Sequence, residues 1–115
     1  MPAIGELNRR VLFRRRTDYA TSDMGLDAEY SDQRYLWARI RQVGGETYQG
    51  SVQTGNVITH RITIRYRDDI TADFEIVHKK RVYRVKKITE LAEGGRFLMI
   101  EAEELGATYG NPSEY

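Results

Sequence analysis

Two histidines, His60 and His78, titrate nearer to neutral pH than the other side chains of this sequence, so they are its first candidates for acid–base or metal chemistry. His60 falls on the apolar side of an alternating pattern, which favours a core or rim histidine over a ligand or a base. Neither histidine lies in an HxxxH or HExxH spacing, and the chain has no cysteine, so zinc lacks its usual ligands. We therefore expect no metal ion and no other cofactor.

Carboxylates form two groups that could act as paired acids. The segment "DDITAD" (68–73) lacks the alternation and the distal glutamate of a calcium loop, and its residue types are typical of a turn between strands. Glu101 and Glu103 alternate onto the outward face of the last predicted strand, which favours a solvated or partner-facing patch over a hydrolytic pair. The chain also lacks GxSxG and phosphate-loop motifs. We expect the protein not to be an enzyme.

Cations are the remaining chemical signal. Arg61, Arg65 and Arg67 share the polar face of "VITHRITIRYR" (57–67), and a second basic group lies at 79–87. These side chains could bind phosphates, with tyrosines such as Tyr66 stacking on bases. They could also form a solvated sheet face, or a partner surface in which arginine and aromatic residues are enriched. The composition leaves these three interpretations open.

Charge is distributed unevenly along the chain, although the net charge is only +1. Residues 90–115 contain six glutamates against one arginine, whereas residues 60–87 contain nine cations against four anions. Opposite charges on different segments favour contact with a protein partner or with another copy of the chain. The overall basic excess of a dedicated nucleic-acid binder is missing.

Length and patterning indicate one mainly β domain over residues 1–115. No apolar run approaches the ~18 residues that a membrane helix needs, and the first residues lack a signal-peptide core, so we expect no membrane association. Strands are predicted at 9–16, 33–43, 57–67 and 96–105, with a hairpin at 74–88 whose tip is Lys79 and Lys80. A short helix is predicted within 46–55, a long loop at 17–32 and a polar tail at 106–115. The predicted fold is a small β-barrel or sandwich of five to six strands, with one short inserted helix and a long loop after the first strand.

Four segments, taken in order, resemble the phage head–tail joining proteins, also called head closure or stopper proteins. They are "IGELNRRVLFRRR", "YLWARIRQVGGETYQG", "THRITIRYRDDIT" and "KKRVYRVKKI". The resemblance covers residues 4 to about 103, the expected core of the domain. It departs at the hairpin tip, where relatives often have glycine beside the basic residue and this chain has Lys79 and Lys80.

The resemblance implies a non-enzymatic subunit of a homo-oligomeric ring, usually a dodecamer, made in the host bacterial cytoplasm. Such a ring lies in the virion neck of a tailed phage or gene transfer agent, between the portal-bound adaptor and the tail terminator or another tail protein. It continues the channel for packaged double-stranded DNA without sequence recognition, and it retains that DNA in the head. In relatives the long loop projects into the channel and closes it. The corresponding channel residues here are Asp18, Asp23, Met24, Gly25, Leu26, Asp27 and Glu29.

A subunit or adaptor interface is the interpretation that the resemblance favours for the basic strand. Arg61, Arg65 and Arg67 would meet a neighbouring subunit or the adaptor ring, with the acidic segment Glu101, Glu103 and Glu104 as the complement. The alternative is a small nucleic-acid-binding β-barrel that uses the same arginines together with Tyr66 and residues 79–87.

Overall fold

The computed structural model describes residues 7–91 and 96–107 of the chain. These residues form six strands and one helix, in agreement with the five to six strands and one short helix that the sequence predicted. The strands are β1 (Arg9–Ala20), β2 (Leu26–Gln42), β3 (His60–Arg65), β4 (Phe74–His78), β5 (Arg81–Leu91) and β6 (Phe97–Ala107), and the helix α1 (Gly45–Gln53) joins β2 to β3. No helix in this part of the chain is long and apolar enough to cross a membrane.

The strands form one antiparallel sheet that closes into a barrel in the order β1-β2-β3-β6-β5-β4. Closure depends on a short pairing between β1 and β4, from Leu12↔Val77 to Arg15↔Phe74. The β1–β2 register shifts at this point: two residue steps from Phe13 to Arg15 face three steps from Ser31 to Arg34, so the extra residue lies in β2 and bends that strand. Closing the sheet satisfies the main-chain groups that an open sheet would leave at its outer strands.

Alternation along each strand places one apolar face inside the barrel. On β3 the inward residues Ile62 and Ile64 are fully buried, while Arg65 is exposed, so the predicted split of this strand into an apolar and a cationic face is confirmed. Phe13 and Phe74 pack with their ring centroids 6.5 Å apart. The core draws on all six strands, and its other members include Val11, Ala38, Ile76, Tyr83, Val85, Leu98 and Ile100.

Helix α1 is held against the start of β3 by one serine. The hydroxyl of Ser51 donates to the carbonyl of Tyr48 at 2.7 Å and accepts from the backbone N–H of Ile58 at 2.9 Å. The helix therefore spans the gap between β2 and β3 with a fixed exit, and its predicted position within 46–55 is confirmed to within one or two residues.

The β4–β5 hairpin turns at Lys79 and Lys80, as predicted. Lys79 adopts φ 56°, a left-handed conformation that glycine enters without steric cost. Lys79 therefore makes the tight turn at some cost in backbone strain.

Residues 17–32, predicted as a long loop, are instead the outer half of a β-hairpin. Thr17 pairs with Glu29 and Ala20 with Leu26, so only residues 21–25 turn. The sequence concealed these strands because neither of their faces is buried, and an apolar–polar alternation therefore does not arise. The predicted tail is also shorter, because β6 continues to Ala107, and the rest of it lies outside the described residues.

Candidate partner-binding surfaces

The projecting hairpin, residues 17–32, extends beyond the barrel. β4 accompanies β1 only as far as Arg15, and β3 accompanies β2 only from Ala38 to Gln42. Within the described part of the chain, residues 17–32 therefore pair only along the β1–β2 hairpin, and its base is the pairing of Tyr30 and Ser31 with Arg16 and Arg15. The projection is consistent with the elongated shape of the molecule, whose principal extents are 51, 33 and 26 Å.

The apex of the projecting hairpin is apolar and fully accessible. Met24 is 97% exposed and Leu26 is 78% exposed. The backbone N–H of Thr21 donates to the carbonyl of Gly25 at 2.9 Å and closes the turn, while Met24 adopts φ 69°. A turn that holds two large apolar side chains in water is available for contact with other copies or other chains.

The flanks of the projecting hairpin are anionic. Asp18, Asp23, Asp27 and Glu29 lie on it, and no lysine or arginine occurs between Thr17 and Gln33. The Thr21 hydroxyl, together with the backbone N–H groups of Asp23 and Gly25, lowers the pKa of the Asp23 carboxyl. The hairpin is therefore negative at neutral pH and repels phosphate groups.

Arginines anchor the base of the projecting hairpin to the barrel. Arg15 contacts both Asp32 and Asp73, the latter at 3.3 Å. Arg16 donates to Glu75 on β4 at 3.1 Å, and Arg34 contacts Asp69 in the β3–β4 connection. A two-stranded hairpin is marginally stable in isolation, so these contacts decide its direction relative to the barrel.

The residues predicted as an interface are brought together, but within one chain. β6 lies between β3 and β5, and each glutamate of its acidic segment faces a cation on a neighbouring strand. The ion pairs are Arg61–Glu101 at 3.2 Å, Lys86–Glu103 at 3.3 Å and Arg81–Glu104 at 3.6 Å. Arg67 likewise donates to Asp69 at 3.0 Å. Sequence reasoning found the complementary charges but assigned them to different subunits; their role in an interface stays a prediction.

Arg65 differs from these arginines, because it has no ion-pair partner among residues 7–91 and 96–107. It lies at a cavity of about 550 Å³, which we call the wedge groove, at the point where β2 separates from β3. Trp37 and Tyr35 line the groove and are 56% and 61% exposed. The groove was not predicted from the sequence; the alternation of Tyr35 and Trp37 on one face of β2 was the available signal for it.

His60 is largely buried and packs against neighbouring side chains of the barrel. Its side chain is 12% exposed, its ring meets Tyr83 edge-on at 5.0 Å between centroids, and its Nδ1 lies 2.9 Å from the Thr59 hydroxyl. Burial lowers the pKa of His60, and the charge of Glu104 offsets part of that effect. In the described part of the chain, no group of three or more histidine or carboxylate side chains could hold a metal ion.

The chain was compared with protein-family models, with curated proteins and with solved structures. A family model described as phage head completion protein matches residues 2–105. No curated protein matches the sequence. The solution structure of a protein from Shigella flexneri 2a is similar with a TM-score of 0.64 and 24% identity, over 93% of this chain and 100% of that one.

A second solved structure with this fold is a chain in the virion of a native gene transfer agent particle. It is similar with a TM-score of 0.56 and 17% identity, over 87% of this chain and 96% of that chain. At these identities the two structures establish the shared barrel fold, and the family model carries the assignment of family.

Proposed function

Because this chain belongs to the phage head completion protein family, we propose that it is the subunit of a ring that closes the head at the neck and retains packaged DNA. Family membership makes the protein a structural component of the virion. The finer placement is our proposal: one face of the ring binds the portal and adaptor complex, and the other binds the tail terminator or another tail protein. In this role the protein performs no chemical reaction.

The projecting hairpin is the observation that carries the proposal. It leaves the barrel with an apolar apex and anionic flanks, and it is directed by the arginines at its base. In a closed ring, dodecameric as the resemblance implies, the apices converge near the axis, and Met24 and Leu26 of neighbouring copies cover one another. The anionic flanks repel phosphates, so DNA passes without binding once the apices separate.

The proposed contact surface between subunits, or with the adaptor, contains Arg61, Arg65 and Arg67 together with the acidic segment of β6. The ion pairs within the chain do not prevent this use. The Arg61 side chain is 43% exposed, and a pair of that kind is worth less than about 1 kcal/mol, so an exchange of partners at an interface costs little. The same weak contact repeated around a ring contributes many times.

A shortened hairpin tests the proposal in assembled particles. Residues 19–27 are replaced by Asn-Gly, so that Asp18 and Ala28, which already face each other, flank a two-residue turn. We expect particles that incorporate the variant but lose DNA from the head. Glu46→Gln, an exposed change in α1, serves as the control and should leave retention unchanged. Full DNA retention by particles that carry the shortened hairpin would refute the proposed role of the hairpin.

A further inference from the structure

The wedge groove lies beside the edge of β2 that faces away from β1. β2 pairs with β3 only from Ala38 onward, so the main-chain groups of residues 26–37 on that side have no strand partner within the described residues. A row of free N–H and C=O groups next to a cavity is a template for strand addition.

The side chains of the wedge groove are those that dominate binding energy at interfaces. Trp37 and Tyr35 are both more than half exposed, and the Arg10 guanidinium lies 5.2 Å from the Tyr35 ring centroid. Arg65 lies beside them, exposed and without an ion-pair partner among the described residues. Tryptophan, tyrosine and arginine in one pocket favour a ligand that has aromatic groups and a carboxylate.

Residues 108–115 of the chain have this chemistry. Their sequence, "TYGNPSEY", contains Tyr109, Tyr115 and Glu114 and no lysine or arginine. We propose that the wedge groove binds residues 108–115 of a second copy of this chain. The segment lies along the free edge of β2, a tyrosine packs on Trp37, and the Glu114 carboxylate pairs with Arg65.

The length of β6 favours docking of residues 108–115 in a second copy over docking in the same copy. Arg65 pairs with Phe97 at the start of β6, whereas residues 108–115 leave from Ala107 at its other end. Ten residue steps of strand separate the two ends by about 33 Å. Eight residues reach at most about 29 Å when fully extended, so the length of the segment favours the groove of a second copy.

Docking of this kind is heterologous, because the groove of one copy takes the segment of the next. Such a contact repeats until the rotation closes into a ring. The inference therefore rests on the proposed ring and adds a connection between neighbouring subunits. It also leaves the apex of the projecting hairpin free, because residues 21–25 contribute neither the groove side chains nor the bound segment.

Trp37 reports on the groove directly, since it is the only tryptophan of the chain. The experiment titrates a synthetic peptide of residues 106–115, which lacks tryptophan, into the full chain and follows Trp37 emission. We expect a saturable change. Arg65→Ala should weaken peptide binding by about fivefold, while Arg41→Ala, an exposed cation at the other end of β2, should leave it unchanged. Circular dichroism melting checks that each variant is folded.

A charge exchange makes the test specific. Arg65→Glu should lose the native peptide and bind the peptide that carries Glu114→Lys, whereas the wild-type chain should prefer the native peptide. Absence of any change in Trp37 emission overturns the inference. So does binding that appears only after residues 1–6 are removed, because the groove would then belong to the N-terminal segment of its own chain.

The proposed function and the proposed docking of residues 108–115 can be refuted independently. If heads close and keep their DNA in particles that lack the whole protein, the proposed function is wrong whatever the peptide does. If the peptide does not bind while particles still require the protein, only the docking of residues 108–115 is wrong.

Discussion

Glu75 is a buried carboxylate that the barrel uses as a structural connection. It is 3% exposed and receives Arg14 and Arg16, each at 3.1 Å. Arg14 is itself buried and stacks on the Tyr30 ring at 3.8 Å. The cluster therefore joins β4 to the part of β1 from which the projecting hairpin departs.

Replacement of Glu75 by glutamine should destabilise the barrel. The change keeps the volume of the side chain but removes the charge that compensates a buried arginine, a loss that costs about 3 kcal/mol in comparable sites. Urea unfolding measures it. Glu101→Gln, whose partner Arg61 is 43% exposed, is the matched control and should cost less than about 1 kcal/mol. Equal losses for both variants would show that the Glu75 cluster does not support the fold.

The two histidines make stability depend on pH near neutrality. Burial lowers the pKa of His60 below its ordinary 6.5, and burial with neighbouring cations such as Lys79 and Arg9 does the same for His78. The unfolded chain therefore binds more protons than the folded chain between the lowered values and 6.5, and stability falls as pH decreases through this window.

The measurement is the free energy of unfolding at pH 7.5 and pH 5.5. We expect the wild type to be less stable at the lower pH and a chain with His60→Gln and His78→Gln to lose less over the same interval. The comparison uses each protein's own difference, so any loss that the substitutions cause at both pH values cancels. An unchanged pH dependence in the double variant would contradict the assignment.

At the scale of elements, the projecting hairpin is separate from the hydrophobic core. Its apex residues Met24 and Leu26 are exposed, and no core residue comes from 17–32. Its direction comes from charged contacts at its base. Its two strands are held by main-chain pairing, with the Tyr19 hydroxyl 3.4 Å from Asp27 as a cross-strand contact. An element of this kind can move or be shortened without unfolding the barrel.

The shortened hairpin should therefore remain folded in isolation. Removal of residues 19–27 takes away no buried side chain, so we expect the free energy of unfolding to change by less than about 1 kcal/mol. Ile62→Ala, at a fully buried position, is the reference and should cost about 2–5 kcal/mol. A shortened chain that unfolds as readily as the Ile62 variant would mean that the hairpin belongs to the folding unit of the barrel.

At the scale of the whole molecule, charges of opposite sign are adjacent on the barrel and separated elsewhere. The basic faces of β3 and β5 are partly neutralised by β6, whereas the projecting hairpin stays anionic. This distribution argues against the nucleic-acid-binding alternative, which needs the same arginines and lysines free to contact phosphates.

The isolated protein should therefore have little affinity for DNA. We expect no measurable binding of a duplex at about 150 mM salt, and a shallow dependence of log K on salt at lower concentrations, because Arg61, Arg81 and Lys86 are paired with β6 and the anionic hairpin repels phosphates. Fluorescence anisotropy at two salt concentrations measures both quantities. A steep slope, corresponding to about six or more phosphates, would favour the nucleic-acid barrel instead.

The strands of a small barrel or sandwich were predictable from the sequence, because each strand has one buried face and alternation records burial. Ile62 and Ile64 against Arg61 and Arg65 identified β3, and Lys79 with Lys80 marked the β4–β5 turn. Four motifs in order also identified the family. These features depend on local pattern and order along the chain, which a sequence displays directly.

The features that depend on which strands become neighbours were visible only in the folded structure. β6 lies between β3 and β5, and this order pairs Glu101, Glu103 and Glu104 with Arg61, Lys86 and Arg81 of the same chain, while their role in a subunit interface stays a prediction. Residues 17–32 became a hairpin because main-chain pairing needs no buried side chains. The wedge groove exists because β2 extends beyond the end of its pairing with β3. Pairings between strands distant in sequence, and the lengths over which they hold, leave no periodic signal in the chain.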